Sequence, residues 1–276
     1  YICRVGHRLV TSAGAEGRYV TDIDVTIDPA TRDVIRDVAR QFAAVNGTLP
    51  NPLPEKYPTL AADARLSPLV TFYNAKAAPL AQRTVGRITA EITRQPNEAG
   101  ESAMGDLIAD AQLAATREAG AQIAFMNRGG MRADLRTDTG TVTYSDVFSI
   151  HPFGNGLITL SLTGQQIDDL LEQQWLPSST MLQVSTGFSY EWDAAAPAGT
   201  KVDIAAIRLQ GARIDPAQIY RVTVNEFLSQ GGDGFLMLRA APARVRGIID
   251  VDALEQYIAR NSPIGAPAMG RIIRRN

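Results

Sequence analysis

An α+β fold built on a mixed sheet is what the order of segments predicts for this chain. Short β-rich runs and amphipathic helical runs follow one another without the regular βαβ rhythm of a wholly parallel sheet, and no internal repeat is visible. The composition is that of an ordinary globular protein, with 276 residues, 45% hydrophobic and 20% charged. A chain of that size buries a core without needing a disulfide or metal staple.

The elements can be taken in order. The chain opens at Tyr1, without an initiator Met, inside strand-like sequence. Residues 8–28 alternate in polarity around Gly14 and Gly17 and read as two strands joined by a turn. Over residues 29–69 the pattern loosens, and the Pro- and Asn-rich stretch 46–58 predicts an exposed connector. Residues 66–83 carry a helical apolar period, with Pro79 at an end or kink. Residues 102–119 give the clearest helix: Met104, Leu107, Ile108, Ala111 and Ala115 form one stripe, and Gly120 follows as a stop. The apolar run 122–126 reads as a strand that delivers the chain to Asn127-Arg128-Gly129-Gly130-Met131-Arg132. A strand over 157–162 ends at Thr163, whose spacing to Gln166 is that of a capping box opening a helix through Trp175. Further strands are expected near 186–193, 202–209 and 218–225, then a helix over 251–259 and a last strand over 270–274.

Charge and composition exclude several functions. The formal net charge is −2 and there is no block of like charges, so no electrostatic face for a nucleic-acid polymer is expected. No apolar run reaches the ~20 residues that span a bilayer. Cys3 is the only cysteine, so bridges tell nothing of redox compartment. His7 and His151 are the only histidines, and neither belongs to an H-x-H or H-E-x-x-H spacing. A dinuclear phosphatase centre needs several imidazoles and carboxylates converging on two cations. No metal ligand or catalytic residue is therefore assigned in this chain.

Three loops carry the candidate chemistry. In residues 127–132, two glycines permit close backbone approach, Asn127 offers a donor and an acceptor, and Arg132 a planar fork of donors. The loop reads equally as a tight turn with an exposed arginine. In His151-Pro152-Phe153-Gly154-Asn155-Gly156, Phe153 either covers the core, the simpler reading, or stacks on a flat ligand. His151 has a suitable intrinsic pKa for a general base but no nucleophile or acid at a diagnostic spacing, so it reads as structural. Residues 227–235 set three glycines around Asp233, with Phe227 and Phe235 flanking it, and the exposed carboxylate could accept two hydroxyl hydrogen bonds. Two phenylalanines in separate loops, with an Asp, an Arg and an Asn, describe a pocket for an aromatic heterocycle carrying a sugar.

The ordered series Glu101–Ala111 (E-S-A-M-G-D-L-I-A-D-A), N-R-G-G-M-R at 127–132, P-F-G-N at 152–155, L-S-L-T-G at 160–164, L-Q-V-S at 182–185 and N-E-F-L-S-Q-G-G-D-G-F at 225–235 resembles the C-terminal domain of 5′-nucleotidases, a family that includes UDP-sugar hydrolases. The resemblance covers residues 84–276; residues 11–24 resemble the closing strands of the family's metallophosphatase domain, leaving 29–83 as connector and linker helix. It implies that Phe153 and Phe227 sandwich a nucleobase, Asn127 and Asn155 contact the base, and Arg132 and Asp233 hold the ribose hydroxyls. It also implies a ligand that is a nucleoside or nucleoside 5′-monophosphate, and an extracellular, periplasmic or cell-wall location. Two divalent metal ions would belong to a metallophosphatase domain of the same polypeptide, from which this chain reads as cut off. Where the family places an arginine just before Glu101 this chain has Gly100, and Arg94 is the candidate replacement. The expected function is substrate recognition for a 5′-nucleotidase-type hydrolase acting on nucleoside monophosphates or UDP-sugars. The alternatives are a stand-alone nucleoside-binding module and a relative acting on 2′,3′-cyclic nucleotides or a thiosulfate-type ester.

Overall fold

The computed structural model describes residues 1–14, 19–43, 61–176 and 180–276. Contacts divide the chain into two compact units, Tyr1–Lys76 and Ala77–Asn276.

In the first unit, Ile2–Val5 pairs antiparallel with Arg8–Thr11, turning through Gly6 at φ 60°. Tyr19–Ile27 pairs antiparallel with Val34–Ala43. The expected strands within 8–28 form, but each takes a different partner; part of the turn expected between them lies outside the described residues. The connector expectation is corrected at 34–43, which is a ten-residue strand. Its charges hid it: Arg40 pairs across the ladder with Asp24 at 2.9 Å, so the run lacks a clean apolar face. The Pro-rich stretch 46–58 lies outside the described residues. None of the described residues of 1–42 is buried, and Val20, Ile23, Val25, Ile27, Val34, Ile35 and Phe42 are exposed. The helix Ser67–Ala81 forms as expected, with Pro79 in its last turn and no buried residue.

The second unit is organised by a five-stranded mixed sheet, in the order Val245–Ile249, Gly156–Thr163, Ile219–Asn225, Ile123–Asn127, Leu182–Val184. The central strand Ile219–Asn225 runs antiparallel to Gly156–Thr163 and parallel to Ile123–Asn127. Both faces are covered. Phe125, Leu160, Leu162, Val222 and Val224 meet Ile167, Leu170 and Phe188 on one side. Met126 joins Met104, Leu107, Ile108, Leu254 and Ile258 on the other, beneath the helices Ala103–Ala115 and Asp250–Arg260. Coverage on both faces explains the continuous apolar runs in these strands. A second sheet sets Phe188–Asp193 between Ile272–Arg275, parallel, and the short Arg208–Leu209, antiparallel. The strand expected over 202–209 is interrupted by a 3₁₀ turn, Ile204–Ala206, capped by Asp203, whose carboxylate accepts from the Ala205 amide.

The helix signals are local and hold. Ser102 caps Ala103–Ala115 by accepting from the Gly105 amide, and Gly120 at φ 80° ends the 3₁₀ turn that follows. Thr163 and Gln166 form the reciprocal capping box of Gly164–Glu172. Several of the ordered motifs prove architectural. Gln183 accepts from the amide and hydroxyl of Ser102 at 2.6 and 3.0 Å and donates to Gly100 O, tying the edge strand to the helix start. Glu101, fully buried, accepts the amides of Gly270 and Arg271 at 2.7 and 2.8 Å, which fixes the last strand.

Asp106 is a buried carboxyl group left out of this satisfaction. Arg271 chelates Asp110 at 2.7 and 2.9 Å, so only its Nε faces Asp106, at 3.7 Å, and neither Asp106 oxygen has a hydrogen-bond partner. Burial dominates the opposing pull of Arg271 and pushes the Asp106 carboxyl up to about 9. The folded state therefore holds a proton that the unfolded chain, at its ordinary 3.8, releases. The stability this proton contributes is complete below the unfolded value and is lost as pH rises to the folded one. Asp106→Asn, which mimics the protonated acid, is expected to raise Tm at pH 8 and to flatten its decline between pH 5 and 9, by about 2–4 °C for each kcal/mol of relief. Thermal melts across that range check this; an unchanged pH slope would contradict it.

Candidate functional site

Strand pairing brings three loops to one edge of the central sheet. Ile123–Asn127 and Ile219–Asn225 run parallel, so both end, each in an asparagine, at that edge. Gly156–Thr163 runs antiparallel with Leu157 opposite Asn225, so its start lies there too. The loops at 128–132, 151–155 and 226–235 thereby converge, and between them lies a cavity of about 290 Å³. It is lined by Asn127, Gly129, Gly130, Arg132, Phe153, Asn155, Asn225, Phe227 and Asp233. All six residues singled out in the sequence line this one cavity, whose volume is close to the lower bound of about 300 Å³ for small-molecule sites.

Phe153 and Phe227 are 51% and 46% exposed, so the core-covering reading of Phe153 is corrected. Phe235, by contrast, is fully buried and belongs to the core, not the cavity. Phe227 stands beside Gly232, where a Cβ would collide with its ring. Arg132 lies over Phe153, its Cζ 5.9 Å from the ring centroid, and donates to Gly129 O at 3.3 Å.

A relay of side chains fixes the polar wall. Asn225 caps the short helix Glu226–Ser229 by accepting from the Leu228 amide at 2.9 Å. Its Nδ2 donates to Asn127 Oδ1 at 2.9 Å, and Asn127 Nδ2 donates to Asp233 Oδ2 at 2.7 Å. Asn127 is only 3% exposed. The relay thus aims the Asp233 carboxylate from a buried base. Asn225 was missed as a site residue; its signal was the N-cap position of Asn-Glu-Phe-Leu at the end of a strand.

Beneath the Phe153 loop, His151 and Asp250 are fully buried, with His151 Nε2 3.2 Å from Asp250 Oδ2 but off the line of a good hydrogen bond. Burial holds the imidazole below its ordinary pKa against the raising pull of Asp250. The His151 ring is fully buried and stands edge-on to Phe153, with ring centroids 6.4 Å apart.

A second, wider cavity of about 680 Å³ shares Gly129, Arg132 and Asp233 with the first and adds Arg94, Arg128, Arg136 and Asp134. Arg94 donates to Asp134 and to Met131 O, which places it on this cavity. Gly100 does not reach it; at φ 88° it packs against Met181, which leaves no room for a side chain. Among the described residues no group of three or more His, Cys, Asp or Glu could hold a metal ion, and no helix is long and apolar enough to cross a membrane.

Residues 81–240 match the family described as 5′-nucleotidase, C-terminal domain. Over 273 residues the chain is 28% identical to Endonuclease YhcR of Bacillus subtilis, covering 97% of this chain and 21% of that protein. It is 32% identical over 172 residues to the Cell wall protein Lmo0130 of Listeria monocytogenes, covering 60% of this chain and 22% of the other. Among solved structures, the 5′-nucleotidase precursor of Thermus thermophilus superposes with a TM-score of 0.70 at 30% identity, covering 97% of this chain and 52% of that one. The chain thus spans about a fifth of these two curated relatives and half of the solved one.

The turn that presents the carboxylate carries backbone strain. Asp233 sits at φ 54°, in the left-handed region, between Gly231 at 87° and Gly234 at 89°. Asp233→Gly and Asp233→Ala both remove the carboxylate, but only alanine keeps a Cβ in that region. The glycine variant is expected to be the more stable by about 1 kcal/mol, read from urea midpoints; equal midpoints would show that the turn relaxes.

Proposed function

Because the chain belongs to the 5′-nucleotidase C-terminal domain family, we propose that its cavity is the base- and ribose-recognition site of a hydrolase that dephosphorylates nucleoside 5′-monophosphates. The observation that carries this reading is the pair of half-exposed rings, Phe153 and Phe227, on one cavity with Asn127, Asn155, Arg132 and Asp233. Two aromatic faces suit a flat base, and a carboxylate beside a guanidinium suits a ribose diol. The arginine-lined cavity next to it, with Arg94 and Arg128, gives the anionic end of the ligand a cationic surrounding. UDP-sugars present the same base, ribose and anion and belong to the same reading.

In this proposal the chain binds and orients, and holding the base and ribose places the phosphate for attack. The residues described here do not fit a dinuclear metal centre. The two divalent ions belong with a metallophosphatase domain of the same polypeptide, to which the strands within residues 1–28 and their partner strand Val34–Ala43 contribute, ahead of the binding domain at 84–276. The apolar side chains left exposed on the strands of residues 1–42 support such a covering domain and favour it over a stand-alone binding module. An extracellular, periplasmic or cell-wall location goes with the same reading.

Two measurements test it. Calorimetric titration with adenosine and AMP should show binding, and Phe227→Ala should weaken it by about 1–3 kcal/mol, the contribution of base stacking on an aromatic ring; unchanged affinity removes the stacking assignment. The 276-residue chain should release no phosphate from AMP when Mn²⁺, Zn²⁺ or Ca²⁺ is added. Robust turnover by this chain would place the catalytic groups within it and overturn the division of labour.

A further inference from the structure

Asn155 lines the cavity, and its amide is tied down from behind. Its Nδ2 donates to Asp250 Oδ2 at 3.0 Å, while its backbone carbonyl accepts the Asp250 amide at 2.8 Å. Asp250 is 1% exposed and opens the helix Asp250–Arg260, where the helix end favours a negative charge. Its other oxygen accepts the Val251 amide at 2.8 Å, and His151 Nε2 stands 3.2 Å from the oxygen that Asn155 uses. An ionised carboxylate offers only acceptors. It therefore accepts the NH₂ end of the Asn155 amide and repels the oxygen end. The side-chain orientation of Asn155 is set by charge, and its Oδ1, without a protein donor among the described residues, is the atom left for the ligand.

We infer that Asp250 is a positioning residue that makes this pocket select nucleobases presenting an amino group over those presenting a keto oxygen. The inference rests on the base-binding reading above. Asp250 itself does not line the cavity; it acts by holding Asn155 with the oxygen toward the base. The amino group of adenine or cytosine donates to that oxygen. The keto oxygen of hypoxanthine or uracil brings lone pairs to the same place and leaves Asn155 Oδ1 unpaired. A site arranged to hydrogen-bond a ligand N–H discriminates against the analogue that lacks it, because a desolvated polar atom is then left without a partner.

Adenosine and inosine differ by this exchange of an amino group for an oxygen and make the cleanest probe pair. Calorimetry on the 276-residue chain is expected to give adenosine about tenfold tighter binding than inosine. In Asp250→Asn the residue behind Asn155 can both donate and accept, so the Asn155 amide is free to turn, and the adenosine-to-inosine ratio should fall to within about twofold. A loss of packing alone would weaken both nucleosides together and leave the ratio standing. Should Asp250→Asn fail to fold, Asn155→Ala on a half-buried loop position carries the test, with the same fall in the ratio expected. Equal binding of both nucleosides by the wild type, or a ratio unmoved by either variant, overturns the inference while leaving the base pocket intact. No binding of either nucleoside overturns the base-pocket reading itself, and the inference with it.

Discussion

The pairing of Ile219–Asn225 between one parallel and one antiparallel neighbour is the constraint on which the site depends. Parallel pairing with Ile123–Asn127 puts two strand ends, and two asparagines, side by side; antiparallel pairing with Gly156–Thr163 adds a strand start at the same edge. Side chains buried on both faces of the sheet hold that register, since a slip by one residue would exchange the two sets of core contacts. Phe125 and Met126, neighbours in sequence, pack in different cores. The loops above the edge inherit their placement from this ladder.

On that frame the polar groups divide into two kinds. Glu101, Ser102, Gln183 and Asp110 spend their hydrogen bonds inside the domain, joining the first helix, the edge strand and the last strand. Asn127, Asn155 and Asn225 line the cavity, and their hydrogen bonds to one another and to Asp250 behind it transmit the order of the sheet to its wall. A wall held this way is preorganised, so a ligand need not order it on arrival. Asp106 belongs to neither kind: it is enclosed by the packing of the first group without being given a partner.

Much of this was legible in sequence wherever the signal is local. The Thr163–Gln166 capping box and the Gly120 stop are chemistry between neighbours, and each appears where its spacing placed it, whereas the helix expected to bury one stripe is buried at every position from Met104 to Leu113. The strand at Val34–Ala43 was not legible, because its partner strand and not its own polarity specifies it. The 202–209 region has strand composition, yet Asp203 caps a turn there, so only Val202, as a single bridge to Trp192, and Arg208–Leu209 reach the sheet. The six candidate site residues were found as isolated loop features and by family resemblance; that they share one cavity depends on strand order, which no local pattern encodes. The partners behind them, Asn225 and Asp250, look like helix-start residues in sequence, and their second task shows only when distant segments meet.

The contacts from Asn225 to Asn127 and from Asn127 to Asp233 join residues 98 and 106 positions apart. Such a wall cannot exist in a partly formed domain, since closing loops of that length gains nothing until the intervening strands are in place. Assembly of the pocket is therefore tied to assembly of the whole second unit. Any ligand that occupies it draws the folding equilibrium of the entire unit by mass action, and occupancy becomes a measure of how much of the chain has reached its final fold.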